Sequence, residues 1–299
     1  MVALAALGVA YSVVVSRPAA PSASAASVDT GRIYFRDGDG RVASVSPDGS
    51  ERSVFDMTCH RFALASGRAV CLAAHPGLVP KTNALILDER LHETRRVELA
   101  GIPSRAQVSA SGRMISWTVF VTGDSYNAGG FSTWTGILDS HSGYLIINME
   151  NIQLYKDEQR YHSADVNYWG VTFASDDNRF YATVSTRGST YLVEGDYAAW
   201  KARVLRSNVE CPSLSPDGKR LAFKKRVDAV SWRLAVLDLA TMTETLLAET
   251  ASIDDQAAWL DDETVMYAKG SDVWTTPADG SGNPHLLIAG ASSPSILRR

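Results

Sequence analysis

The chain has 299 residues, 45% of them hydrophobic, with a formal charge of -4, a pI near 5.9 and a mean hydropathy of -0.09. That length and apolar content suffice to bury one large core or two small ones. The hydropathy excludes a polytopic membrane protein, and mild acidity without a clustered basic excess argues against a nucleic-acid partner.

Taken in chain order, the first segment stands apart. Val2 to Val15 is an uncharged apolar run, followed by Arg17, Pro18 and an Ala/Ser/Pro tract up to Ser27. The run is short for a membrane span, which needs roughly 20 residues, and it matches the apolar region of a secretory signal. Ala23-Ser24-Ala25 supplies small residues for cleavage. No Lys or Arg lies between Met1 and the run, so a longer, uncleaved anchor is the competing expectation. No Cys follows it, which argues against a lipoprotein anchor. Residues 1–27 are therefore expected to be a signal or anchor with a linker, residues 28–299 the folded domain, and the location extracytoplasmic.

From residue 28 onward, short runs rich in Val, Ile, Leu and aromatics alternate with Gly, Asp, Asn and Ser, the pattern of strands and turns. Gly31 to Phe55 supplies three strands, RIYFR, RVASV and ERSVF, with Ser46-Pro47-Asp48-Gly49 between the last two. Asp37-Gly38-Asp39-Gly40 lacks the remaining ligands of a calcium loop and reads as a hairpin turn. Cys59 and Cys71 flank Ala65 at equal distances. Around a turn at Ala65-Ser66-Gly67 they would face each other, either as a cross-strand disulfide or as two buried thiols. Cys211 is left over, and no CxxC or Cys/His cluster suggests zinc.

Further units follow at roughly 40- to 50-residue spacing, the period of propeller blades. They are Arg61 to Leu99, Ser104 to Met149, Val166 to Leu205, Cys211 to Glu249 and Gln256 to Ile288. Each reads as a four-stranded meander. In the fourth repeat, Ser175-Asp176-Asp177-Asn178 is the first turn, with Asn178 expected in the left-handed position. The N-terminal unit lacks its innermost strand, and Ser292 to Leu297 looks like that strand. Joining the two completes a sixth blade and closes the ring. A competing parse makes Ser46 to Gly49 a first-to-second-strand turn and shifts the blade count.

Residues 211 to 223, reading CPSLSPDGKRLAF, resemble the repeat of the TolB-like propellers. LASGRAV, SASGRMI and ASDDNRF are degenerate versions of it. The resemblance covers nearly all of residues 31 to 297 and implies an all-β, six-bladed propeller of four-stranded antiparallel blades. The family's namesake carries a further α/β domain before its propeller, and the 27 residues ahead of residue 28 are not expected to form one.

Catalytic signatures are sparse. Gly123-Asp124-Ser125-Tyr126-Asn127 ends in Asn and lacks the strand-to-helix context of a hydrolase elbow. The histidines at 60, 75, 92, 141, 162 and 285 show no metal spacing. Asn83, Asp165, Asn167 and Asn208 fall near blade mouths without forming a pattern. No cofactor and no metal are expected. Loop length is more informative. Loops between second and third strands share a face with the connectors between blades, and this chain lengthens them at His75 to Thr82, Thr122 to Thr133, Glu150 to Asp165 and Lys224 to Ser231. Long aromatic loops on a rigid scaffold favour binding. The candidate binding residues are Tyr126, Phe131, Trp134, Tyr155, Tyr161, Tyr168, Trp169, Lys225 and Arg226. The sequence thus points to an exported, monomeric, non-enzymatic propeller that binds a protein, peptide or envelope polymer. A metal-dependent propeller hydrolase or lactonase and a carbohydrate-binding propeller are the alternatives.

Overall fold

Strands that bury both faces explain the apolar content. In β1 (Ile33–Asp37), Tyr34 enters one apolar cluster while Ile33 and Phe35 enter another. This is the two-residue alternation of a strand packed between two neighbours. Each fully buried side chain of this size stabilises by about 1.5–3 kcal/mol. The computed structural model describes residues 28–75, 77, 81–121 and 132–298. The expected signal or anchor over 1–27, and Gly123 to Asn127, lie outside the described residues.

After β1 come β2 (Arg41–Val45) and β3 (Ser53–Thr58). The second blade is β4 (Arg61–Ala65), β5 (Arg68–His75), β6 (Lys81–Leu87) and β7 (Glu93–Ala100). The third is β8 (Ile102–Val108), β9 (Met114–Val121), β10 (Ser132–Asp139) and β11 (Leu145–Ile146). A hairpin, β12 (Gln153–Lys156) and β13 (Gln159–Tyr161), precedes the fourth blade, β14 (Asn167–Phe173), β15 (Arg179–Thr186), β16 (Ser189–Asp196) and β17 (Lys201–Ser207). The fifth is β18 (Glu210–Leu214), β19 (Arg220–Arg226), β20 (Trp232–Asp238) and β21 (Glu244–Leu246). The sixth is β22 (Ala258–Trp259), β23 (Thr264–Lys269), β24 (Asp272–Pro277) and β25 (His285–Ile288), and β26 (Ala291–Ile296) follows. The result is an all-β, six-bladed propeller of four-stranded antiparallel meanders.

The ring closes as the strand count implies. Strand β26 pairs antiparallel with β1, Ile296 opposite Ile33, and gives the first blade its inner strand in the order β26-β1-β2-β3. Ser46 to Gly49 accordingly joins the third and fourth strands of that blade, which disposes of the alternative parse. Among the described residues, six apolar clusters lie between successive blades.

Three local expectations need correction. The turn after β4 is the pair Ser66-Gly67, both at positive φ, and it sets Ala65 opposite Arg68. Cys71 therefore faces Phe62, and Cys59 sits outside the ladder. The disulfide Cys59–Cys71 is nonetheless present, with Cα atoms 5.4 Å apart. Cys59 reaches it from the connector between the first two blades, where its N–H donates to Gly40 O. The left-handed residue of the fourth blade's first turn is Asp177, not Asn178. Asn178 instead donates its side-chain amide to Asp196 and accepts from the Ala198 N–H. Finally, Glu150 to Asp165 is not a plain loop. Its β12–β13 hairpin extends the fourth sheet to β13-β12-β17-β16-β15-β14, with β12 parallel to β17.

Candidate functional site

The face carrying the second-to-third-strand loops and the connectors opens into a cavity of about 990 Å³. It is built from three blades and the connector into the sixth. Ser104, Arg105 and Phe120 come from the third, and Trp169 with Ser185, Gly188, Ser189 and Thr190 from the fourth. Glu210, Lys224, Arg226, Val227, Asp228 and Trp232 come from the fifth, and Asp254 from the connector into the sixth. Strand β19 explains part of this. Its alternation sends Leu221 and Phe223 into the apolar cluster toward the fourth blade. Ala222 is sent to the opposite side, toward the sixth, and Lys224 and Arg226 follow that side to the cavity.

The cavity floor is a network of charges. Glu210 stands opposite Lys224 in the ladder. It accepts two hydrogen bonds from Arg226, each 3.3 Å, and lies 3.9 Å from Lys224 Nζ. Lys224 Nζ donates to Asp254 Oδ1. Arg105 Nη2 is 4.0 Å from the same oxygen, and its Nη1 is 3.6 Å from Asp255 Oδ1. Its Nε donates to Cys211 Sγ at 3.4 Å. Burial works against the Arg105 charge, but Cys211, Asp255 and Asp254 outweigh it and hold its pKa above the usual value. Lys224 and Arg226 both lie over the Trp232 ring, at 4.7 and 5.0 Å from its centroid.

Backbone clamps fix these groups. Asn208, at positive φ, accepts from the Arg226 N–H and donates back to Arg226 O. The Trp232 N–H donates to Ser252 Oγ and the Ile253 N–H to Trp232 O, which anchors the connector just before Asp254. On the fourth blade, Asp165 accepts from Ser163 Oγ, Thr186 Oγ1 and the Arg187 N–H. These bonds, the Ser163 hydroxyl first, hold its carboxyl down at about 2. Arg105 also lines a second cavity, an axial chamber of about 250 Å³ between the inner strands, and so borders both spaces.

The structure sorts the candidate binding residues. Trp169 and Arg226 line the cavity. Tyr168, its neighbour in sequence, is buried in the core between the third and fourth blades. Its burial pushes the phenol's pKa up. Trp134 packs, half-buried, between the second and third blades. Tyr155 and Tyr161 belong to the added hairpin at the rim of the fourth blade, where Tyr161 bonds Thr186 through its hydroxyl at 2.9 Å. Lys225 turns away from the cavity and pairs with Glu244 at 2.5 Å. Tyr126 and Phe131 lie outside the described residues. Of the polar residues near blade mouths, Asn208 reaches the cavity, while Asn167 accepts from Ser132 Oγ and the Thr133 N–H. Asp37 accepts from the Asp39 and Arg41 N–H groups, as a hairpin turn requires. Among the described residues, no group of three or more His, Cys, Asp and Glu side chains is placed to hold a metal.

No family model matches the sequence, and no curated protein matches it. Solved structures do. TolB from Acinetobacter baumannii superposes with a TM-score of 0.60 at 14% identity, over 89% of this chain and 66% of that one. A puromycin-hydrolyzing peptidase of Mycobacterium tuberculosis gives 0.52 at 15%, over 86% of this chain and 43% of that one. An oligogalacturonate lyase from Vibrio parahaemolyticus gives 0.54 at 10%, over 86% of this chain and 73% of that one. This chain spans about two thirds of TolB and less than half of the peptidase. At these identities the likeness concerns architecture, which enzymes and TolB share. In fold, the chain is a TolB-like six-bladed β-propeller.

Proposed function

We propose that this propeller is a non-enzymatic binding scaffold that captures a protein, peptide or envelope polymer at the connector face. One observation carries the reading. The cavity of about 990 Å³ combines aromatic walls, Trp169, Trp232 and Phe120, with a floor of paired charges. Its margin is apolar: Phe120 and Val227 are 37% and 51% exposed. Aromatic and apolar walls around a few fixed polar groups are the general chemistry of recognition sites. The Cys59–Cys71 bond supports an oxidising, extracytoplasmic compartment, because such bonds persist there and are reduced in the cytosol.

The test compares capture from an envelope extract by wild-type protein, Phe120→Ser with Val227→Asp, and Tyr144→Ser. Tyr144 is 64% exposed but lies in a third-to-fourth-strand loop, on the opposite face. The cavity pair is expected to lose the captured species with little change in thermal unfolding, and Tyr144→Ser to retain it. Equal capture by all three proteins would sink the assignment of the face.

A further inference from the structure

The charges on the cavity floor are not equivalent. Lys224 and Arg105 come from different blades, and their side chains are 3% and 11% exposed. Both converge on one oxygen of Asp254, whose side chain is 67% exposed. The other two carboxylates of the network are built in: the Glu210 side chain is 5% exposed and that of Asp255 17%. Three cations, Arg105, Lys224 and Arg226, thus meet three anions, Glu210, Asp254 and Asp255. Only Asp254 is held on a connector outside any strand and faces solvent. Two buried cations keep a strong demand for a negative partner, because leaving them unpaired is costly. An exposed carboxylate in water is the partner most readily exchanged.

We infer that Asp254 occupies a carboxylate-binding position, and that the ligand is a peptide whose own carboxylate displaces Asp254 from Lys224 and Arg105 while a neighbouring apolar residue packs against Trp169 and Phe120. This rests on the cavity being the binding site. Charge balance sets the number of negative groups. Displacing Asp254 leaves the floor short of one negative charge, so one ligand carboxylate restores neutrality. A polyanion with a carboxylate on every unit would bring surplus charge against Glu210, Asp255 and the cavity-lining Asp228. The apolar margin likewise matches a single acidic residue beside an aromatic one, which a uniformly charged polymer lacks.

The probes are two blocked dipeptides, N-acetyl-Phe-Asp-amide and N-acetyl-Phe-Asn-amide, with trigalacturonate as a polyanionic competitor, titrated calorimetrically into the purified chain. The aspartyl probe is expected to bind at least fivefold more tightly than its asparaginyl isostere, with an advantage that shrinks as salt is raised. Asp254→Asn removes the competing carboxylate and is expected to tighten the aspartyl probe about tenfold while leaving the asparaginyl probe unchanged. Lys224→Met is expected to abolish the difference between probes. Should that variant fail to fold, Arg105→Gln reads the same loss, and Asp254→Asn, at an exposed position, tests the exchange by itself. Equal binding of both dipeptides to wild type and Asp254→Asn would overturn the carboxylate site while leaving the cavity as a binding face. Tighter binding of trigalacturonate than of the aspartyl probe would overturn the peptide assignment. Binding of neither dipeptide to Asp254→Asn would overturn the inference outright, while the capture experiment with Phe120→Ser and Val227→Asp reports on the cavity separately.

Discussion

The seam between the first two blades and the cavity spanning the third to the fifth are joined in different ways. At the seam, partners are fixed. Strand β26 is laddered to β1, and Leu297 accepts from the Gly31 N–H at 2.6 Å. Ser295 Oγ donates to Leu64 O at 3.1 Å, and the Cys59–Cys71 bond lies in the same apolar cluster as Tyr34, Phe62 and Leu297. At the cavity, ion pairs join the blades, and one partner, Asp254, is open to water. A buried backbone ladder and a covalent bond are shielded from solutes, whereas an exposed carboxylate meets competing anions directly. The seam is therefore a place of stability and the cavity a place of exchange. Substitutions at each should separate unfolding from binding.

The largest effect is expected from ending the chain at Gly290. Loss of β26 removes the inner strand of the first blade, bares the edge of β1 and opens two interblade cores. The expected cost is at least about 5 kcal/mol, on the scale of a whole domain's stability. Calorimetry should show no cooperative transition near that of the full chain. A truncated protein that unfolds cooperatively at the original temperature would mean that β26 does not close the ring.

A smaller effect is expected from Cys59→Ala with Cys71→Ala. The bond closes a separation of 12 residues. A loop of that size contributes about 3 kcal/mol through the unfolded chain, or roughly 6–12 °C in Tm. Reduction of the wild-type protein should give the same shift. Affinity for the dipeptide probes should be unchanged, since the seam and cavity share no residue. A change in probe affinity equal to the change in stability would erase the contrast between the two regions.

The seam was more legible in the sequence than the cavity, for a physical reason. Blades are periodic, so a unit short of one strand and a terminal segment resembling one can be matched by counting. The Pro and Gly of Ser215-Pro216-Asp217-Gly218 mark a turn through their backbone preferences, and Gly218 does sit at positive φ. Cys59 and Cys71 are recognisable as a pair although the turn lies at Ser66-Gly67, since Cys59 reaches the bond from the connector outside the ladder. The added hairpin is not legible in the sequence because its turn uses Asp157 and Glu158, both at positive φ, where Gly or Asn is the usual signal. The cavity has no period. Arg105 is a lone arginine in IPSRAQV, and Asp254 is one of two aspartates in a connector. They meet only because blades far apart in sequence are brought together around the ring. One signal was available: alternation along Arg220–Arg226 places Lys224 and Arg226 on one side and Lys225 on the other.

Asp165 lies between these extremes and gives the smallest expected effect. It is part of the face, yet its partners are structural: the hydroxyls of Ser163 and Thr186 and the backbone N–H of Arg187, at the loop that carries Gly188 into the cavity wall. Its folded pKa of about 2 lies below the ordinary carboxylate value near 3.9. A depressed folded pKa means that the anion favours the folded state, so its contribution is complete above about pH 4 and disappears as pH falls through about 2. Asp165→Asn is expected to cost about 1–2 kcal/mol at neutral pH, the scale of a hydrogen bond to a charged group lowered by solvent screening at this half-buried position. The difference between wild type and variant, followed by denaturant titration at successive pH values, should be constant from pH 7 to pH 4 and shrink below that. Other carboxylates titrate in the same range, but they do so in both proteins, so the difference isolates this one. A gap that persists unchanged at pH 2 would show that the bonds to Asp165 do not depend on its charge. A gap that closes as expected, with dipeptide affinity at neutral pH little altered, would place Asp165 with the seam, as a fixed support of a face whose exchangeable carboxylate is Asp254.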